Sequence, residues 1–331
     1  MPKVAKLYVR HAKRAITRRM QMVQSISKID WLAVAKHAFD GADVELLSGE
    51  SDAAAFLVSQ TKGNPTVLKA VHASEPKFSS LHFQWDVLSF FRDSPDFPGP
   101  RPLSRLMLGD EIEAIELSYL PGHHPRFESD DDFRIIGVTI ARLHVLSKGK
   151  TLAGASSWDL ARIAPHFENP VLHRLMTKKQ RLIAHEALDW FGPRFQAQID
   201  EGHWTGLVHS DSHRHNVVID NGRGSLIDFG ECGFGHLFWD VGVAAADSAI
   251  DCPERGEACR ANLIDGYLSI LPQAAEPLRR ELAMFEAMRS LEVMTWPVSD
   301  WSSERSEKDE DEAIENIELS CEHLEMLLRG D

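Results

Sequence analysis

Between residues 44 and 71 the apolar residues come in short runs, broken by Ser48-Gly49 and Gly63-Asn64-Pro65. This is the punctuation of β segments joined by turns. Just ahead of them, Ile29 to Phe39 repeats its apolar positions at helical spacing. Phe83 to Phe91 predicts a compact apolar helix ended by the proline-rich stretch from Pro95 to Pro102. Ile112 to Leu120 predicts a strand that stops at Pro121-Gly122, a natural hinge. The first third of the chain is thus expected to form a small β-rich lobe.

Past the hinge the period changes. Phe133, Ile136, Ile140 and Leu143 recur at three- and four-residue steps behind the candidate caps Ser129 and Asp130, and the pattern stays mostly helical from there on. Near the end, Ile314, Ile317, Cys321, Leu324 and Leu328 draw a narrow apolar stripe along an acidic helix, expected to pack against its own lobe. One β interruption stands out: Leu207-Val208, Val217-Val218-Ile219, a turn at Asp220-Asn221-Gly222, and Ser225-Leu226-Ile227, read together as a hairpin. The expected organisation is α+β and two-lobed, with a basic arm at 1–28, an N-lobe at 29–122 and an α-rich C-lobe at 123–331.

Composition narrows the classes. A chain of 331 residues with 43% apolar content can build its own core without disulfides. Its four cysteines show no CxxC pairing, which predicts reduced thiols in the cytoplasm and no zinc knuckle. There is no run of eighteen apolar residues and no signal-peptide pattern, so neither a membrane nor a secreted location is expected. Lys3, Lys6, Arg10, Lys13, Arg14, Arg18, Arg19 and Lys28 make the arm basic, suiting a transit peptide, an anionic partner or simply a solvated helix. A net charge of -14 has the wrong sign for nucleic-acid binding and tilts toward a cationic or neutral small substrate.

The chemistry concentrates at the ends of the predicted hairpin: His209-Ser210-Asp211-Ser212-His213-Arg214-His215-Asn216 before it and Ile227-Asp228-Phe229-Gly230 after it. A hairpin returns the chain to its starting end, so Asp211 and Asn216 can share a small volume with Asp228. Phosphoryl transfer needs such groups: hard oxygen ligands for Mg²⁺, suiting Asn216 and Asp228, and a carboxylate that orients and accepts a proton from a hydroxyl, suiting Asp211. A rival reading groups His209, Asp211, His213 and His215 as the metal cluster of a metallohydrolase. That reading leaves Asp228-Phe229-Gly230 unexplained, and His209 is expected instead to pack and hydrogen-bond so as to fix the loop.

The HxDxxxxN run and the Asp-Phe-Gly triplet resemble those of the aminoglycoside phosphotransferase and choline kinase group, which shares the protein-kinase-like fold. The resemblance implies that Asp211 is the catalytic base, that Asn216 and Asp228 bind Mg²⁺, and that ATP is the donor, with GTP as an alternative. Leu47-Ser48-Gly49-Glu50-Ser51-Asp52 resembles the family's nucleotide loop, which marks Ser48, Gly49 and Ser51. Val67-Leu68-Lys69 resembles its strand lysine, with Lys69 on the phosphates. Glu116-Leu117-Ser118-Tyr119-Leu120-Pro121-Gly122 resembles the hinge that meets a purine, which marks Glu116 and Tyr119. Trp239-Asp240 is similar to the segment whose aspartate braces the catalytic loop.

One position departs from the family. The helical glutamate that pairs with the strand lysine falls at Gln84, leaving Asp86 or Glu75 as substitutes and opening a second rival, a catalytically impaired protein that binds a nucleotide or a partner. The implied acceptor is a small-molecule hydroxyl, as in an aminoglycoside, an amino alcohol or a similar metabolite. Glu231, Asp247, Asp251 and Glu254 are candidates to attract an amine on it. Oligomeric state is not legible.

Overall fold

The computed structural model describes residues 30–49, 53–61, 63–72, 77–108, 111–299 and 307–330. The basic arm, Ser51 and Glu75 lie outside them. Two compact units emerge, one holding residues up to Asp93 together with Pro100–Leu120, the other Ser94–Gly99 and the chain from Pro121 onward.

In the first unit, helix α1 (Trp31–Ala38) is capped by Asp30, whose carboxylate accepts from Ala33 N at 3.0 Å. Strands β1 (Asp43–Gly49), β2 (Ala53–Ser59) and β3 (Thr66–His72) precede helix α2 (Lys77–Phe90), and β4 (Pro102–Met107) and β5 (Ile112–Ser118) follow it. They form an antiparallel sheet in the order β1-β2-β3-β5-β4. Strict alternation in β2 turns Ala54, Phe56 and Val58 to one face, where Leu68, Ala70, Ile112 and Ala114 join them. Trp31 and Ala35 of α1 close that core. Helix α2 packs on β3, β4 and β5, and its His82 meets Glu113 and Arg105.

Two expectations change here. Ser48-Gly49 is not a turn: both residues belong to β1, paired with Ala55 and Ala54 after a bulge at Leu47. The bulge gives these small polar residues the look of a turn while pairing continues. The segment ending at Pro102 also leads into β4, which the prolines ahead of it conceal.

In the second unit, helix α3 (Asp130–Ser147) starts at Ser129, whose hydroxyl accepts from Asp132 N. Helices α5 (Phe238–Asp251) and α6 (Gly256–Ile270) pack on it, and α4 (Lys178–Glu201), α7 (Ala275–Ser299) and α8 (Glu307–Arg329) pack on one another, α7 and α8 also meeting α5. Aromatic rings of Phe195, Phe238, Trp239, Tyr267 and Phe285 fill the centre. Helices α3 and α6 meet backbone to backbone: a Cβ on Gly137 would sit 2.0 Å from Leu263 O, and one on Gly266 would sit 2.0 Å from Arg134 O. The apolar stripe of α8 buries Ile317, Cys321 and Leu324 against its own unit, while Ile314 stays exposed. All four cysteines are buried free thiols.

Strands β8 (Val217–Asp220) and β9 (Arg223–Leu226) form the predicted hairpin around Asn221 (φ 48°) and Gly222 (φ 73°). Two left-handed residues in succession make the primed turn that suits strand twist. Leu207-Val208 does not belong to it. Those residues lie in β7 (Thr205–Val208), which pairs with β10 (Gly233–His236), itself parallel to β6 (Ser156–Trp158). All of β7 is buried, so no alternation betrays its partner. Among the described residues no helix is long and apolar enough to cross a membrane.

Candidate functional site

The segment between β7 and β8 is clamped from helix α5. Asp240, fully buried, accepts from His209 N at 2.9 Å and from Ser210 N at 2.7 Å, and pairs with His144 Nε2 at 2.9 Å. The Asp240 carbonyl takes the Ser212 hydroxyl at 2.7 Å, and Trp239 Nε1 donates to Ser210 O at 3.3 Å. Ser210 has φ 67°, a left-handed conformation that a non-glycine residue adopts only when its surroundings enforce it. Here the buried carboxylate receiving two consecutive amides does so. His209, also buried, bridges to Ile227 O at 2.9 Å and stacks edge-on against Phe229 at 4.7 Å. Burial holds its imidazole below the usual range, hence neutral.

This scaffold delivers Asp211. Asn216 Nδ2 donates to Asp211 O at 2.8 Å and to its Oδ2 at 2.7 Å, and His213 Nε2 lies 3.3 Å from the same oxygen. Burial pushes the Asp211 carboxyl up, but the His213 hydrogen bond and charge, with the Arg289 guanidinium, outweigh it and hold the group well below the usual carboxylate range. Burial likewise opposes charge on His213, and its bond to Asp211 raises it nonetheless. Ile227 N donates to Asn216 O at 2.8 Å, so the end of the hairpin sets Asn216 beside the strand that continues into Asp228. Asp228 is left-handed as well (φ 61°), and its Oδ1 faces Gly230 N at 3.4 Å.

Because Asp211 O and Oδ2 are both acceptors, the Asn216 amide must turn its nitrogen to them and its oxygen elsewhere. An amide oxygen and a carboxylate are the hard donors that Mg²⁺ takes, so this pair fits such an ion. Of the three histidines of the rival cluster, His209 goes to Ile227 and His213 to Asp211, while His215 meets the His213 ring edge-on and lies beside His124, its pKa lowered to about 4 by partial burial and by Arg214. Among the described residues no three His, Cys, Asp or Glu side chains are placed to hold a metal ion.

The residue that sequence reasoning missed is Arg289 of α7. Its side chain is 2% exposed. Nε and Nη2 grip Asp247 at 3.1 and 2.9 Å, Nη1 meets Glu292 at 2.8 Å, and Nη2 reaches Asp211 Oδ1 at 3.4 Å. Seventy-eight residues separate Arg289 from Asp211, and no local pattern announces the pair. Two acidic residues expected to draw an amine are therefore already paired: Asp247 with Arg289, and Glu231 with Arg162 at 3.0 Å.

In the first unit, register places Ser48, Ala55, Lys69 and Ile115 in one cross-strand row, their side chains sharing the face that α2 meets. Ser48 and Lys69 are two strands apart, about 10 Å at ordinary strand spacing. Gly49 follows Ser48 at the end of β1. Glu116 points to the other face, where it accepts from Thr66 Oγ1 at 2.9 Å and Ser104 Oγ at 2.7 Å, and its backbone lies inside the sheet. The sheet therefore keeps Glu116 away from Lys69. Tyr119 lies just past β5, exposed, with its amide 3.4 Å from Pro65 O. Of the residues considered to partner Lys69, Gln84 is 2% exposed whereas Asp86 is on the surface.

A five-stranded antiparallel unit carrying a strand lysine, with a helical unit presenting an aspartate, an asparagine and a second aspartate around a hairpin, defines a small-molecule phosphotransferase of protein-kinase-like fold. The chain belongs to the phosphotransferase enzyme family, whose sequence profile matches residues 43–290. Enzymes of this kind move a phosphoryl group from ATP to a hydroxyl of a small molecule. No curated protein matches the chain by sequence. Among solved structures, amicoumacin kinase hAmiN, in complex with AMP-PNP, Ca²⁺ and Ami, is similar at 15% identity and a TM-score of 0.66, covering 88% of this chain and 93% of its own. A thermostable mutant of aminoglycoside phosphotransferase APH(4)-Ia, in ternary complex with ADP and hygromycin B, aligns at 16% identity with a TM-score of 0.64, covering 91% and 98%. Choline kinase from Cryptosporidium parvum Iowa II aligns at 10% identity with a TM-score of 0.61, covering 94% of each chain.

Proposed function

We propose that the chain phosphorylates a hydroxyl of a small metabolite, with Asp211 orienting that hydroxyl and accepting its proton as the phosphoryl group leaves ATP. The observation that carries this reading is the Asp211 carboxylate itself, held by Asn216 and His213 on a loop whose amides are fixed by buried Asp240. A carboxylate kept this acidic is a weak general base. It suits a loose transfer in which orientation counts for more than proton abstraction. Asn216 and Asp228 would hold Mg²⁺, which when bound neutralises charge on the triphosphate. Lys69, with Ser48 on the same face of the sheet and Gly49 next to Ser48 in the chain, serves the phosphates; Ser51, two residues further along the chain, is assigned with them. Tyr119, just past the strand end, marks the stretch offered to the purine in place of Glu116.

ATP is the donor and GTP a competing one. The reduced cysteines suit a cytoplasmic enzyme. Acceptors resembling those of the structural relatives, hygromycin B, amicoumacin or choline, form the first panel to screen. Buried Gln84, where a glutamate stands in relatives, favours slower turnover through a neutral contact to Lys69 and not loss of function. Asp211→Asn is expected to remain folded and to lower Mg²⁺-dependent kcat by about a thousandfold or more, and Asp228→Ala to remove the Mg²⁺ dependence together with the activity. Near-normal rates in either variant would refute the assigned role, and a wild-type protein that binds ATP without turning it over would mark a binding protein.

A further inference from the structure

We propose that Arg289 is a positioning residue for Asp211, fixing its carboxylate from the side opposite Asn216; the inference rests on the role given to Asp211 above. Asp211 has two oxygens, and each is engaged from a different element. Oδ2 takes Asn216 and His213 of its own loop, and Oδ1 faces Arg289 Nη2 of α7 at 3.4 Å. Contacts from two sides stop the carboxylate from swinging about its terminal bond.

The guanidinium is in turn immobile. Asp247 takes Nε and one hydrogen of Nη2 in a fork, Glu292 takes Nη1, and the remaining Nη2 hydrogen is directed at Asp211. Glu292 is itself held by Trp296 Nε1 at 2.7 Å, and the Trp296 ring lies 5.0 Å from the guanidinium carbon. Arg289, Glu292 and Trp296 fall at i, i+3 and i+7, one stripe of α7.

A purely structural arginine would need only Asp247 and Glu292 for its charge. Reaching a third carboxylate, the one expected at the reacting hydroxyl, is the feature that assigns the role. Helix α5 thereby fixes Asp211 twice from one face, through Asp240 on the loop amides and, seven residues later, through Asp247 on Arg289.

The test uses full-length protein and Mg²⁺-dependent ATP turnover with water as the acceptor, read as radiolabelled phosphate release. Thermal unfolding of each variant is recorded alongside. Arg289→Met combined with Asp247→Asn and Glu292→Gln removes the guanidinium together with the two carboxylates that grip it, so neither Asp247 nor Glu292 is left as an unpaired buried charge, and Asp211 keeps His213. Its kcat should fall about a hundredfold with KM for ATP within about twofold, the scale of a small misplacement of a catalytic group. Arg289→Lys, which retains the charge but not the fork, should lose about tenfold in kcat, again at constant KM. A folded variant of either kind with kcat within about twofold of wild type overturns the proposal, and Arg289→Lys decides if the triple variant does not fold. Should Asp211→Asn prove active, the reading of Asp211 fails. Should Asp211→Asn be inactive while the Arg289 variants turn over normally, only the positioning role fails.

Discussion

Ser210 occupies a left-handed conformation between His209 and Asp211, with both of its backbone polar groups committed: its amide to Asp240 and its carbonyl to Trp239. Its hydroxyl donates to His209 O at 2.7 Å and also meets Glu231 O. Ser210→Gly removes a conformational cost of ~1 kcal/mol but also the hydroxyl contacts, and the two nearly cancel. Its melting temperature should lie within about 4 °C of wild type. Ser210→Val adds a β-branched side chain at the same φ without a hydroxyl and should lose ~2–3 kcal/mol, together with turnover. Equal melting temperatures for the two variants would show that the φ is not enforced.

At this scale the sequence was informative wherever the chemistry is local. Asp211, Asn216 and Asp228 are legible because five and twelve residues bracket a hairpin, and a hairpin has few geometries. Arg289 was invisible for the opposite reason: an ion pair across 78 residues leaves no spacing to read.

At the scale of elements, helices were announced by their periods, and α1, α3 and α8 lie where those periods place them. Strands fared less well. A bulge at Leu47 disguised the end of β1 as a turn, and the fully buried β7 gave no alternation to say that its partner is β10 and not the following hairpin. The α3–α6 crossing depends on glycines that sequence patterning treats as helix weakeners. Gly266→Ala would drive a methyl against Arg134 O and force the helices apart. It should cost ~2–4 kcal/mol despite its better helix propensity, read by urea denaturation. An unchanged midpoint would mean that the crossing is not tight.

For the whole molecule, the shared kinase-like fold and the family profile make nucleotide binding the property to measure first. ATP with Mg²⁺ at about a hundred times its Kd should stabilise the protein by ~2.7 kcal/mol, a rise of several degrees in melting temperature. Asp228→Ala should lose that increment while melting normally without ligand. A shift that is the same with and without Mg²⁺ would remove Asn216 and Asp228 from the metal. The net charge of -14 says less about the acceptor than it promised, because Asp247, Glu292 and Glu231 are engaged by arginines of the same unit.

What the sequence determined by itself was the two-lobed α+β plan, the hairpin and the three oxygen-bearing residues around it, since periodicity, turn chemistry and short spacings act over a few residues and survive in one dimension. The tertiary structure alone decided the partner of β7, the face to which Glu116 turns and the Arg289 contact to Asp211. Each of these joins distant segments, and burial and charge pairing select them only once the chain has closed around them.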